Sequence, residues 1–275
     1  MRASLKAGAL LLVALLLGAA SARSAAPPAG VPVARVALVE RQVEQGAGAD
    51  KWHKAKEGSP LLSGERIRTA ADAVVGLEFP WMSASVGPSA AVSFPDDFVL
   101  STMLEQGRVE LHSEGRDILK LITPEAEVRG RGRVVVRREN GATLVMSLEG
   151  RFLVEGAGKT VILAQGKGTI VQPQKAPIAP VDLAAPPEGL WPGSDPVYVD
   201  AGQPVDFKWE SKGTSHQVEL LPVGSDLVLM QRDVGGSPWK AEIPWTGAFR
   251  WRVSTRDARG LEGMPSEGLI CVVEK

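Results

Sequence analysis

The chain has 275 residues, 44% of them hydrophobic, with 31 Lys plus Arg balanced by 32 Asp plus Glu. This length is sufficient for a real core and for two ordinary domains. The net charge of −1 excludes an overall field that would attract nucleic acid or an anionic membrane, and the single cysteine excludes an intrachain disulfide. Thirty glycines and twenty prolines interrupt short segments that rarely follow the helical period. The sequence therefore predicts an all-β fold.

The first 22 residues predict a secretion signal. Arg2 and Lys6 provide the positive start, residues 7–17 form an apolar core, and Ala20 to Ala22 form a small-residue cleavage site. The apolar run is too short to cross a bilayer, which takes about twenty residues. We therefore expect a periplasmic protein with no transmembrane span after cleavage. Secretion beyond the envelope and anchoring by an uncleaved signal remain the alternatives, and residues 23–34 are predicted to be flexible.

A short sequence motif recurs in the next region. It consists of a hydrophobic strand, an acidic-glycine turn and a second strand with alternating hydrophobic residues. It reads L-E-Q-G-R-V-E-L from Leu104, T-P-E-A-E-V from Thr123 and L-E-G-R-F-L-V from Leu148. This order resembles the FecR-type periplasmic domain family. Further residues resemble the opening segment of that family: Trp52, Ala55, Gly58, Leu61, Gly64, Ile67, Arg68 and Thr69. The resemblance implies a FecR-like β domain, which we place at residues 35–172.

Turn signals divide this first domain into short strands. Asn140-Gly141 lies between two hydrophobic runs and predicts a tight hairpin, because such turns need positive φ at both central residues. Two copies of the motif that start with Leu-Glu begin 44 residues apart, at Leu104 and Leu148. Repetition of this kind predicts stacked β layers, arranged either as a short solenoid or as a flattened sandwich.

The remaining sequence predicts a linker and a second domain. Residues 173–203 are rich in proline, which interrupts both helices and strand ladders and indicates an extended connection. From residue 204 to 275, aromatic and aliphatic residues alternate in several strands, including Phe207 and Trp209, and Phe249 and Trp251. This segment resembles fibronectin type III-like modules and predicts a small Ig-like or fibronectin-like β-sandwich. Its start could alternatively lie near residue 187.

Motifs for catalysis, metals or cofactors are missing from the sequence. His53, His112 and His216 are far apart, and none has a second His or Cys at ligand spacing. The sequence contains neither a nucleophile elbow nor a glycine-rich loop that would hold phosphate. We therefore predict a protein that is not an enzyme and has no metal or cofactor.

A row of arginines is the first candidate binding feature. Arg129, Arg131, Arg133 and Arg137 would share one face of a single strand, since side chains alternate with period two. Four guanidinium groups in a row could hold phosphate, a carboxylate-rich glycan or a lipid head group. The alternative is a solvated face that pairs with neighbouring glutamates (Glu125, Glu127 and Glu139).

Two tryptophans near turns are the second candidate feature. Trp239 and Trp245 each lie beside a proline and could form an exposed platform for a sugar ring or a peptide. The alternative is that both rings fold back and cap one end of the sandwich. In contrast, Trp209 and Trp251 lie in alternating strands and are predicted to be core residues.

These features predict a non-enzymatic module of the Gram-negative cell envelope. Its partner would be an envelope protein or an anionic polymer or glycan, which the FecR-like domain recognises. The alternative is a cell-wall or polysaccharide-binding protein that uses the arginine row or the exposed tryptophans.

Overall fold

The computed structural model describes residues 30–48, 51–95, 101–113, 115 and 118–274. The predicted signal (residues 1–22) and residues 23–29 of the predicted flexible segment lie outside these ranges. The described residues form 25 strands and no helix, which confirms the all-β prediction. Accordingly, the described part of the chain offers no helix capable of crossing a membrane.

The first domain contains strands β1 to β17. Their bounds are β1 Pro32–Glu40, β2 Val43–Ala47, β3 Trp52–Lys54, β4 Pro60–Leu62, β5 Glu65–Thr69, β6 Val74–Glu78, β7 Met82–Val86, β8 Ala91–Ser93, β9 Thr102–Ser113, β10 Leu119–Ile122, β11 Glu127–Arg131, β12 Arg133–Glu139, β13 Ala142–Ser147, β14 Arg151–Gly156, β15 Lys159–Ala164, β16 Lys167–Val171 and β17 Val181–Asp182. Strand β1 begins at Pro32, so the predicted flexible segment extends three residues too far. The reason is that Pro32 and Ala34 pair with β4.

Two sheets share the long strand β9. We call one the seam sheet, with the order β4-β1-β6-β7-β9-β12-β13-β16-β17. We call the other the outer sheet, with the order β3-β2-β5-β8-β9-β10-β11-β14-β15. The first half of β9 pairs within the outer sheet and the second half within the seam sheet, with Gly107 between them at φ 92°.

The two sheets enclose one apolar core. Strand alternation directs side chains from both sheets into it, among them Val36, Ile67, Leu104, Leu111, Val136 and Phe152. A shared core between two facing sheets makes this a sandwich-type domain. The predicted hairpin is confirmed, since Asn140 and Gly141 join β12 to β13 with φ values of 51° and 73°.

The second domain is formed by β18 Glu188–Trp191, β19 Val197–Asp200, β20 Pro204–Glu210, β21 His216–Pro222, β22 Met230–Val234, β23 Trp239–Glu242, β24 Gly247–Thr255 and β25 Ser266–Val273. A three-stranded sheet, β18-β20-β23, packs against a five-stranded sheet, β19-β25-β24-β21-β22. Trp209 and Trp251 lie between these sheets, where they are 4% and 0% exposed. Their prediction as core residues is therefore confirmed.

The proline-rich segment 173–203 is extended, but it is docked against both domains. It contributes β17 to the seam sheet and β18 and β19 to the second domain. The indole of Trp251 donates a hydrogen bond to the carbonyl of Pro192, and the backbone N–H of Met264 donates one to Ala184. The backbone groups of this extended connection therefore find partners in both domains.

Candidate functional site

The two domains meet face to face along what we call the seam. On one side is the face of the seam sheet that points away from the first core. On the other is the outward face of the five-stranded sheet. Alternation along β9 sends Val109 and Leu111 into the core and therefore sends Arg108 and Glu110 into the seam. Strand β24 does the same, since Trp251 enters the second core and Arg252 enters the seam.

Arg108 is a first-domain residue that contacts several acidic side chains in the seam. Its Nε lies 3.0 and 3.1 Å from the two carboxylate oxygens of Glu262, and its Nη1 lies 2.9 Å from Oε1 of Glu219. Both acids belong to the second domain. Arg108 also lies 3.3 Å from Glu110 on its own strand. One guanidinium therefore ties two acids of the second domain to one of the first.

Glu110 has the corresponding role among the acids. It accepts a hydrogen bond of 2.5 Å from Arg252 and one of 3.0 Å from Arg133. Arg252 also donates to Glu219, its cross-strand neighbour. Glu110 and Arg252 are each 3% exposed, so these bonds form away from water.

Burial and pairing act against each other on the pKa values of these groups. Burial alone would raise the pKa of Glu110, but Arg252, Arg108 and Arg133 lower it to about 2. Burial would lower the pKa of Arg108, but the surrounding carboxylates raise it above its ordinary value. For Glu219, burial is the larger effect and raises its pKa, although Arg108 and Arg252 act in the opposite direction.

A second cluster lies at the end of the seam near Asp226. The carboxylate of Asp226 accepts a hydrogen bond of 2.7 Å from Arg133, and its other oxygen lies 2.9 Å from Nδ1 of His112. Burial alone would raise the pKa of Asp226, but the hydrogen bond from Arg133, the charge of Arg133 and the contact with His112 lower it. Both partners come from the first domain, so this cluster also joins the two domains.

The predicted arginine row is divided between two sheets, because the chain turns at Gly132. This residue has φ 108°, and a Cβ there would lie 2.4 Å from the carbonyl oxygen of Glu149. Arg129 and Arg131 lie before the turn on β11, in the outer sheet, and both are exposed. Arg133 and Arg137 lie after it on β12, in the seam sheet. The four therefore do not share one face.

The two halves of the row have different surroundings. Arg129 forms an ion pair with Glu127 on the surface. Arg137 is 9% exposed and lies 2.5 Å from Glu139 and 3.6 Å from Glu262. Arg133 and Arg137 are therefore paired within the seam and do not form a face for an anionic polymer.

Sequence reasoning missed the seam charges Arg108, Glu110, Glu219, Arg252 and Glu262. Charged residues that alternate with apolar ones normally face solvent, and both interpretations of the arginine row, as an anion-binding face and as a solvated face, placed it there. A signal was nevertheless present. Arg108-Val109-Glu110-Leu111 places opposite charges two residues apart, and Trp251-Arg252-Val253 places an arginine between core residues.

Trp239 and Trp245 line one cavity of about 350 Å³, which we call the tryptophan groove. Both rings are half-buried and pack against the edge of the second core, and the ring centre of Trp239 is 5.4 Å from that of Phe207. The groove crosses between domains, because Glu40 and Arg41 of the first domain also line it. The structure thus brings the two predicted tryptophans together and adds polar residues that the sequence did not associate with them.

Four charged side chains line the tryptophan groove: Glu40, Arg41, Arg232 and Glu242. Arg41 has φ 65° and lies 2.9 Å from Asp72, so its charge is already paired. Arg232 donates to the carbonyl oxygen of Gln231 at 2.7 Å, and no carboxylate of the described residues lies within ion-pair distance of it. Burial raises the pKa of Glu40, although Arg41 and Arg232 act in the opposite direction.

A larger polar cleft adjoins the groove at Arg232. It has a volume of about 580 Å³ and is lined by residues of both domains. Most of its cations are paired, since Arg138 holds Glu125 at 2.8 and 2.9 Å and Arg256 lies 2.8 Å from Asp233. Arg232 therefore lies where the two cavities meet.

The three histidines have separate surroundings, and His53 is exposed on β3. His112 lies beside Asp226, whereas His216 is buried and Nε2 of that ring lies 2.5 Å from Oγ of Ser211. Burial lowers the pKa of His216. Within the described ranges, no group of three or more His, Cys, Asp or Glu side chains is arranged to hold a metal ion.

Comparisons with known proteins find similarity to solved structures. No family model matches the sequence, and no curated protein matches it. Two crystal structures of a candidate anti-sigma factor from Parabacteroides distasonis ATCC 8503 are similar to the chain, at 15% and 16% identity with TM-scores of 0.38 and 0.37. Each match covers 42% of this chain and 59% of the other, so the chain spans about three-fifths of the length of those structures. A similarity of this extent supports no conclusion about the seam or the groove.

Proposed function

We propose that the chain is an exported, non-enzymatic binding module of the bacterial envelope, with a FecR-like first domain and a fibronectin-like second domain. The predicted signal sequence and the resemblance of the motifs to the FecR-type family support this proposal of export and an envelope setting. In this proposal, the module recognises an envelope protein or polymer with a surface that both domains build together.

The observation that carries the proposal is that the buried ionisable side chains of the seam are already paired with one another. Arg108, Glu110 and Arg252 are paired with one another or with other seam residues at 2.5 to 3.3 Å. Groups engaged in this way hold two sheets together and are not available to transfer protons to a substrate. The tryptophan groove, by contrast, opens at the edge of the same contact and has side chains from both domains.

A second candidate function, polysaccharide binding, is favoured by the composition of the groove. Ligand sites in proteins combine an apolar or aromatic lining with a small number of polar groups. Trp239 and Trp245 provide the first part, and Glu40, Arg232 and Glu242 provide the second. The arginine row no longer contributes to this alternative as a unit.

Binding of residues 23–275 to a purified envelope fraction tests the proposal. We expect saturable association. Protease treatment of the fraction abolishes it if the partner is a protein, and treatment with glycan-degrading enzymes abolishes it if the partner is a polymer. The bound component should be recovered with unchanged mass. An envelope fraction that shows no saturable association, or a component that returns chemically altered, would overturn the proposal.

A further inference from the structure

The charges of the tryptophan groove indicate which class of ligand it accepts. Its lining contains two carboxylates, Glu40 and Glu242, and two guanidinium groups, Arg41 and Arg232. Arg41 lies 2.9 Å from Asp72, and its Nε also lies 3.8 Å from Oε1 of Glu40, so only Arg232 is left as an unpaired cation among the described lining residues. A polyanion would meet more negative than available positive charge, so like-charge repulsion would oppose its binding.

The polar groups of the groove need a ligand that both donates and accepts hydrogen bonds. Ionised Glu40 and Glu242 can only accept, and Arg232 can only donate. A hydroxyl group has one donor and two acceptor positions, so it can serve either kind of partner. Burial raises the pKa of Glu40, and Nε of Arg41 lies 3.8 Å from Oε1 of Glu40, too far for a hydrogen bond.

The aromatic walls add a requirement for an apolar face. Trp239 is backed by Phe207 on the core side, and Trp245 packs against the same core, so both rings are supported while they line the cavity. Sugar rings have flat C–H faces surrounded by hydroxyl groups, which match an aromatic wall with a polar rim. The volume of about 350 Å³ lies at the small end of the range for ligand sites, about 300 to 1,000 Å³.

From these three observations we propose that the tryptophan groove binds a pyranose ring of a neutral, hydroxyl-rich saccharide. Trp239 and Trp245 stack on the ring, Arg232 donates to its oxygens, and Glu40 and Glu242 accept from its hydroxyl groups. This inference rests on the proposed function, since it names the ligand class of the envelope-binding surface. It also replaces the expectation of an anionic glycan, because the arginine row that suggested an anion is divided between two sheets.

The test uses ¹⁵N-labelled residues 23–275 and four probes: cellohexaose, maltohexaose, chitohexaose and a galacturonic acid hexamer. The indole N–H resonances of the tryptophans are assigned with Trp→Phe variants. We expect at least one neutral hexasaccharide to shift the signals of Trp239 and Trp245 and to leave that of Trp191 unchanged. No shift with any neutral probe at millimolar concentration, or tighter binding of the acidic hexamer, would overturn the inference.

Variants separate the groove from the rest of the surface. Trp245→Ala should weaken binding about tenfold, the size expected for loss of one aromatic stacking contact. Arg232→Gln should weaken it as well, and this change leaves the apolar core untouched. The matched control is Trp191→Ala, because Trp191 is 44% exposed on the same domain but does not line the groove. Equal affinity in all three variants would contradict the assignment.

Negative results of the saccharide experiment and of the envelope experiment have different consequences. Envelope association without saccharide binding would remove the ligand class and leave the proposed function intact. Saccharide binding without envelope association would instead place the groove in a protein with another role, and the envelope function would fail.

Discussion

The two faces of strand β9 are both buried, but they are stabilised in different ways. Val109 and Leu111 enter an apolar core and are 0% exposed. Arg108 and Glu110 enter the seam and are 5% and 3% exposed. An apolar side chain needs only close packing, whereas each buried charge needs partners at hydrogen-bond distance. The same alternating sequence therefore specifies a core on one face and a paired charge network on the other.

This difference predicts how each region responds to the loss of one side chain. The apolar core should lose stability in proportion to the volume removed. The seam should lose stability because the remaining partners become buried and unpaired, even when the volume hardly changes.

The largest effect is expected in the second core. Trp251→Ala should lower the free energy of unfolding by about 3 to 5 kcal/mol, because the ring is fully buried against Phe207 and Trp209. We expect Trp209→Ala to behave similarly, whereas Trp245→Ala should leave the domain folded. Chemical denaturation of the three variants measures this, and equal midpoints would show that the core assignment is wrong.

A large effect is also expected in the seam from a change that keeps the volume. Glu110→Gln should cost about 3 kcal/mol, because Arg252, Arg108 and Arg133 lose their shared carboxylate. The control is Glu127→Gln, which removes a surface partner of Arg129 and should cost less than about 1 kcal/mol. If the two variants lost the same stability, the seam charges would not be buried as described.

Acid should weaken the seam before the apolar core. The pKa of Glu110 is lowered to about 2 from an ordinary 4.5, so its stabilising contribution is complete above about pH 4.5 and is lost as the pH falls towards 2. The shift corresponds to roughly 3 kcal/mol. Glu219, whose pKa is raised, acts in the opposite direction. Stability between pH 5 and 2 should fall more steeply in the wild type than in Glu110→Gln, and parallel curves would count against this.

The sequence predicted the apolar cores better than it predicted the charged seam. Short segments without the helical period identified the all-β class, the Asn140-Gly141 turn signal identified the hairpin, and alternation identified the buried positions of Trp209 and Trp251. It could not identify the seam, because strand period assigns Arg108 and Glu110 to a face without saying whether water or a second domain covers that face. The arginine row failed for a local reason, since positive φ at Gly132 sends the chain into the other sheet.

The groove was predicted only in part. The sequence singled out Trp239 and Trp245 from their positions near turns. It could not connect them with Glu40 and Arg41, which are about 200 residues away in the chain and meet them only through the domain contact. A site assembled from two domains has no local sequence signature.

The smallest effect is expected on the exposed half of the arginine row. The double variant Arg129→Gln/Arg131→Gln should change stability by less than about 0.5 kcal/mol, since both residues lie on the exposed face of β11. The thermal unfolding of this double variant should be compared with that of Arg133→Gln. Arg133 lies in the seam, and its loss should be several times more costly.

The buried ion pairs of the seam should hold the two domains in one fixed orientation. Residual dipolar couplings of backbone amides, measured separately for residues 32–171 and 197–273 in one aligned sample, test this expectation most directly. We predict a single alignment tensor that fits both sets with the domain orientation described above. Two tensors of different magnitude or orientation would show that the domains move independently and that the seam does not fix their orientation.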